Sequence, residues 1–200
     1  MTSLIIHIKH RYPGIWNIVE YFNATLFRLR FHGLKKVSEE VLGNYKKDGY
    51  VYLPVEISDI EALSEFRHKQ KHKYLCYFDP HPFDTKTLER LLSNPSYSLM
   101  KIVEKSTGEL VGYFFLRCFF IGKAFHGLIV DQDHTNRGLG TSMWEISMEI
   151  CNKMGLRMFA TVSEKNIPSL TSAGNATDVK ISEKLDNDYY LIECSPKAVK

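Results

Sequence analysis

The segment Val130–Thr141, Val-Asp-Gln-Asp-His-Thr-Asn-Arg-Gly-Leu-Gly-Thr, constrains this chain more than any other. It joins an apolar run, Ala124–Val130, that predicts a strand to an amphipathic run, Arg137–Met154, that predicts a helix. In the helix, Leu139, Met143, Ile146, Ile150 and Met154 recur at helical spacing, and Gly155 provides the stop. The first turn of any helix has N–H donors without intrahelical partners, at the positive end of the helix dipole. Gly138 and Gly140 carry no Cβ, so a ligand can approach that backbone closely. Such a turn suits a phosphate or pyrophosphate, and Arg137 adds a cation. A loop that merely starts a helix would read the same way. A Walker loop is excluded because no Gly-Lys-Ser/Thr follows. A dinucleotide fingerprint would need a shorter loop and a third glycine near Met143.

The flanking sequence predicts the elements that would frame this loop. Pro13 to His32 reads as a helix with an apolar stripe of Ile15, Ile18, Val19, Phe22, Leu26 and Leu29, closed by Gly33. The polar stretch 35–49 reads as a connector with room for a helical turn. Tyr50–Val55 is a strand, and Ser58 and Asp59 cap a helix to about His68. The basic stretch 69–73 reads as a flexible joint. Asp84 or Thr85 starts a second short helix ending before Asn94-Pro95. Tyr97–Glu104, Leu110–Phe120 and Ala124–Val130 form an antiparallel meander. Leu156–Val162, close behind the long helix, should lie parallel to Ala124–Val130. Asn166–Ala173 is a short helix, and Asp178–Lys184 with Tyr189–Cys194 closes the chain as a hairpin.

Two hundred residues suit one domain with an added element, divided here into residues 1–49 and 50–200. A hydrophobic fraction of 44% allows a sizeable core. The net charge of +3 is too small, and its cations too scattered, to indicate nucleic acid. Cys76, Cys118, Cys151 and Cys194 are widely spaced, with no zinc-like pattern, so no metal is expected and the thiols read as reduced. The start lacks the order of a secretory signal, and no apolar run is long enough to span a membrane. The expected location is cytoplasmic.

The stretch Val130–Thr141 resembles the coenzyme-A-binding segment of the GNAT superfamily of acyl-CoA N-acyltransferases, with Val130, Gly138 and Gly140 in frame. Gln132 and Thr135 stand where the family has proline and Arg/Gln. The order of predicted elements from Tyr50 to Glu193 is also that of the family. The resemblance implies an α+β fold (mixed α/β): a mostly antiparallel twisted sheet of about six to seven strands, its fourth and fifth strands splayed, flanked by helices. The N-terminal amphipathic helix is an addition to it.

The resemblance also implies an acetyltransferase using acetyl-CoA as cosubstrate. Backbone at Leu128, Ile129 and Val130 would pair with the pantetheine amides, and N–H groups from Arg137, Gly138, Leu139, Gly140 and Thr141 would hold the pyrophosphate. Asn166 would face the coenzyme arm or cap a helix. An amine would attack the thioester directly, aided by a base and an acid. The family's acid, a tyrosine, falls on Ala173 here, which leaves Ser169 and Ser172 as candidates. His126 is the candidate base, unless its side chain points away from the cleft. His134, in the loop, would bind or be exposed.

Phe78 and His81, in the stiff stretch Tyr77–Asp84, would line the acceptor site or form a turn before a helix capped by Asp84. That stretch and the aromatic, basic start resemble acetyltransferases encoded with bacterial surface-polysaccharide genes, which implies a small-molecule acceptor such as an amino sugar or sugar nucleotide. The alternative is a GNAT-fold module that binds acyl-CoA for sensing or assembly without transfer. The helix over residues 13–33 has three roles open to it: packing on the domain or in a homodimer, lying on a membrane surface, or contacting a partner enzyme.

Overall fold

The computed structural model describes residues 13–198, with side chains from Ile18 onward. The expectations for the first ten residues, and those for the Ile15 and Trp16 side chains, lie outside the described residues. Among the described residues the α-helices are α1 (Pro13–Arg30), α2 (Leu34–Asn44), α3 (Ile60–Lys69), α4 (His72–Leu75), α5 (Thr85–Ser93), α6 (Leu139–Met154) and α7 (Ile167–Ala176). The strands are β1 (Tyr50–Pro54), β2 (Tyr97–Glu104), β3 (Leu110–Phe119), β4 (Lys123–Val130), β5 (Arg157–Ser163), β6 (Thr177–Leu185) and β7 (Tyr189–Pro196).

The strands form one sheet in the order β1-β2-β3-β4-β5-β7-β6, antiparallel except for β4 and β5. This is the mixed α+β arrangement that the sequence predicts, with the N-terminal helix outside the sheet. β3 lies near the middle, and Val111–Leu116 is buried throughout because helices cover both faces of the sheet. Phe114 and Leu116 point into the larger core with Trp144 and Ile146 of α6. Tyr113 and Phe115 point the other way, into a smaller core with Leu63 and Phe66 of α3 and Leu88 and Leu91 of α5.

One expectation about the N-terminal region needs correction. The stretch read as a connector is mostly α2, and Leu34, Val41 and Leu42 are buried in the same core as Trp144. The packing therefore runs across residue 49 without a break. The apolar stripe of α1 faces outward: Ile18, Val19, Phe22, Leu26 and Leu29 are all exposed. The helix sits on the domain through Ala24, Phe27 and polar groups instead. Glu20 receives hydrogen bonds from Arg90 (2.6 Å) and Arg117 (3.0 Å), and Asn23 Nδ2 donates to the Cys118 carbonyl (3.0 Å). The supposed joint at 69–73 is also ordered by contacts, since Gln70 is buried and α4 begins at His72.

Candidate active site

β4 and β5 are paired only at Lys123–Arg157, Ala124–Met158 and Phe125–Phe159. Beyond that point both strands continue, β4 held by β3 and β5 by β7, but no longer by each other. The β4 edge from His126 to Val130 thus faces a gap, with backbone groups unpaired on that side. Leu128, Ile129 and Val130 lie on this open edge. At Gly127 a Cβ would come within 2.5 Å of the Phe115 ring, so only glycine allows that ring to lie against the strand.

The gap leads to the loop. Asp131 caps the 3-10 turn Gln132–His134 by accepting from the Asp133 N–H (2.8 Å). Gln70 at the end of α3 clamps the turn, donating to Asp131 Oδ2 (2.9 Å) and accepting from the Gln132 N–H (3.1 Å). Lys71 N–H donates to Gln132 Oε1 (3.1 Å). The residue standing at the family's proline position is therefore one that ties the loop to α3. His134 packs between Asp131 (3.3 Å) and Glu104 (3.4 Å) and fixes the loop to the end of β2.

Gly138 stands at the N-cap of α6 with φ of 72°, a left-handed conformation that favours glycine. No side chain caps this helix, whereas Asp84 caps α5 and Asn166 caps α7. The N–H donors of Leu139, Gly140 and Thr141 are thus left for a ligand at an exposed helix mouth. Gly140 lies beside α7, where a Cβ would meet Ser172 at 3.4 Å, an ordinary contact.

The cations at this mouth differ from the expectation. Arg137 donates to the Tyr50 hydroxyl (3.0 Å) and lies 3.6 Å from Glu104, so its charge is already balanced by protein. Lys47, from the segment between α2 and β1, places its Nζ 3.2 Å from the point where a Gly138 Cβ would stand. Sequence reading missed Lys47 because it lies 91 residues before Gly138 in a stretch read as a connector.

Several other predicted residues have structural roles. Asn166 caps α7, its Oδ1 accepting from the Ser169 N–H (3.3 Å). Ser169 lies in the first turn of that helix, and its carbonyl accepts from Ser172 Oγ (2.9 Å). Phe78 is buried in the smaller core against Phe83 and Tyr113, not lining a cleft. His81 is half-buried and hydrogen-bonded to the Pro82 carbonyl (2.9 Å) and the Tyr113 hydroxyl (3.0 Å), which holds the 77–84 turn on β3.

His126 is not placed to act as a base. It lies in the interior against Trp144, ring centroids 4.3 Å apart, and neither ring nitrogen has a partner of ordinary hydrogen-bond geometry. Burial pushes its pKa down to about 3, with the Phe115 backbone opposing slightly. A ring so weakly basic and so enclosed cannot collect a proton from an acceptor at neutral pH. Ala173, at the family's tyrosine position, is fully buried.

The end of β5 carries a polar rim. Glu164 accepts from the Tyr190 hydroxyl (3.0 Å) and Lys184 (3.3 Å), and Lys165 pairs with Asp188 (2.8 Å). A separate surface cleft of about 500 Å³, between α2, the end of β1 and α5, is lined by none of the predicted site residues. Among the described residues no group of three or more His, Cys, Asp or Glu is placed to hold a metal ion.

Comparison with known proteins bears on the family and the fold. Residues 60–171 match the profile of the family described as "Acetyltransferase (GNAT) family". The fold is similar to the GNAT domain of S. lividans PAT (TM-score 0.62, 15% identity, 72% of this chain and 89% of that one). It is similar to the ribosomal-protein-S5-alanine acetyltransferase from Vibrio fischeri (0.62, 11%, 76% and 95%). It is also similar to Mycobacterium smegmatis RimJ in complex with CoA-disulfide (0.59, 18%, 74% and 81%). No curated protein sequence matches the chain.

Proposed function

Because this chain belongs to the acetyltransferase (GNAT) family, we propose that it transfers an acetyl group from acetyl-CoA to an amine of a small molecule. The observation that carries this reading is the uncapped mouth of α6 opening beside the unpaired edge of β4. Donors at Leu139–Thr141 suit a diphosphate. The free β4 backbone at Leu128–Val130 suits the amides of the pantetheine arm. Lys47 adds positive charge at the diphosphate end. The coenzyme supplies the acetyl thioester, and the protein's part is to hold the arm and admit the acceptor. The amine attacks the carbonyl carbon, the C–S bond breaks, and the thiol leaves with the proton the amine gives up.

For the acceptor we take a polar amine such as that of an amino sugar. The carboxylates, lysines and tyrosine at the end of β5 support this, as hydrogen-bonding partners for a hydroxylated molecule. The location that goes with this reading is the cytoplasm. A second reading, a module that binds acyl-CoA without turnover, is favoured by Ala173, which offers no hydroxyl to the leaving thiolate.

Release of free thiol from acetyl-CoA, measured across a panel of amino sugars and other amines, separates the two. Acceptor-dependent release supports transfer. Calorimetric binding of coenzyme A with no release for any amine supports the module. Lys47→Ala should weaken coenzyme A binding about threefold to tenfold, the effect of one exposed charge near ~1 kcal/mol. Unchanged affinity in calorimetry would remove Lys47 from the site.

A further inference from the structure

We infer that the outward face of α1 docks the protein on the surface of an anionic lipid bilayer. The face is unusual for a helix packed on a domain. Six large side chains are exposed along it: Ile18 (57%), Val19, Tyr21 (71%), Phe22 (61%), Leu26 and Leu29 (74%). The helix does not need them for its attachment, which runs through Glu20, Asn23, Ala24 and Phe27 on the opposite side. The apolar surface continues onto the β3–β4 turn, where Phe120 and Ile121 are also exposed. Arg30 joins the two, donating to the Phe120 carbonyl (3.0 Å).

The charges on this face select the occupant. Arg28 and Arg30 are its exposed ionic groups among the described residues of α1. Glu20 is the only acidic residue in the first 38, and its carboxylate is taken by Arg90 and Arg117. Lys9, Arg11, Lys35 and Lys36 add to the positive balance of that stretch. A second copy of this face would bring arginines and no carboxylate to meet them. An anionic bilayer supplies phosphates for the arginines and hydrocarbon for the aromatic and branched side chains. No described helix is long and apolar enough to cross a membrane, so α1 would lie in the interface plane. The β3–β4 turn is at the opposite end of β4 from Val130, roughly 25 Å away at strand rise, so docking leaves the helix mouth of α6 open.

The test is sedimentation of the full chain with vesicles of pure phosphatidylcholine and of phosphatidylcholine with 30% phosphatidylglycerol, alongside analytical ultracentrifugation without lipid. The expected result is binding to the anionic vesicles, at least about tenfold weaker to the neutral ones and reduced by added salt. The double variant Phe22→Glu/Leu26→Glu, at exposed positions away from the core, should lose at least about tenfold in vesicle affinity while keeping its melting temperature. Arg28→Glu should lose affinity for anionic vesicles alone. Absence of vesicle binding by the unmodified chain overturns the inference. So does a lipid-independent dimer that Phe22→Glu/Leu26→Glu dissociates, because the face is then covered by a second copy. Thiol release by the soluble protein is unaffected by either outcome, so this inference and the proposed activity fail separately.

Discussion

Gly138→Glu is expected to lower coenzyme A affinity by at least about a hundredfold while the protein stays folded. The position is exposed, and its φ of 72° disfavours any side chain, so some strain of about 1–2 kcal/mol accompanies the substitution. The larger effect comes from charge. The introduced carboxylate would stand at the helix mouth, where Lys47 Nζ lies 3.2 Å from the Cβ position, and would engage both that ammonium and the free N–H donors. Each charge-assisted hydrogen bond so lost to a diphosphate is worth roughly 1.5–3 kcal/mol, so two account for a hundredfold or more. Gly138→Asn separates the causes, because asparagine tolerates the left-handed region and adds no charge. It should keep most of the affinity. Calorimetry with both variants decides the matter: equal losses would attribute the effect to backbone strain, and no loss would remove the loop from the coenzyme site.

The second large effect concerns His126 and acid. Its imidazole is held neutral by burial, with a pKa pushed down to about 3 from an ordinary 6.5. Below about pH 6.5 the unfolded chain binds a proton here that the folded chain refuses until about pH 3. The unfolded state therefore holds more protons across that window, and stability rises with pH through it. The stabilisation is fully present above pH 6.5 and is lost as pH falls toward 3, by up to about 5 kcal/mol at 1.36 kcal/mol per unit. His126→Leu should remove this contribution, so that the difference in stability between variant and parent grows in the variant's favour as pH falls from 6.5. Chemical denaturation at several pH values measures it. The variant should keep its turnover and the pH profile of turnover. A tenfold loss of turnover with coenzyme affinity and stability intact would restore His126 to the chemistry.

How far the sequence could be read depended on whether a feature was local. The loop at 130–141 was legible because strand, glycines and helix are adjacent in the chain, and their physics is that of one turn. The β4–β5 crossover followed from the short span between Met154 and Arg157. The orientation of His126 was not legible. Alternation along β4 gives two faces, but its neighbour β3 is apolar on both, so nothing local says which face meets α6. The face by which α1 attaches was not legible for a related reason. An apolar stripe is normally the buried one, but here Glu20 and Asn23 find partners at Arg90, Arg117 and Cys118, far along the chain. In α2 three buried apolar residues, Leu34, Val41 and Leu42, are diluted among lysines and glutamates, which hid the helix. Lys47 was hidden by sequence distance alone.

Hydrogen exchange of the backbone amides, with and without coenzyme A, probes the site most directly. Slowed exchange at residues 128–130 and 138–141, with little change in β6 or β7, is the expected pattern. Slowed exchange confined to other segments, such as the cleft between α2 and α5, or none at saturating coenzyme, would contradict a coenzyme held by the mouth of α6 and the open edge of β4.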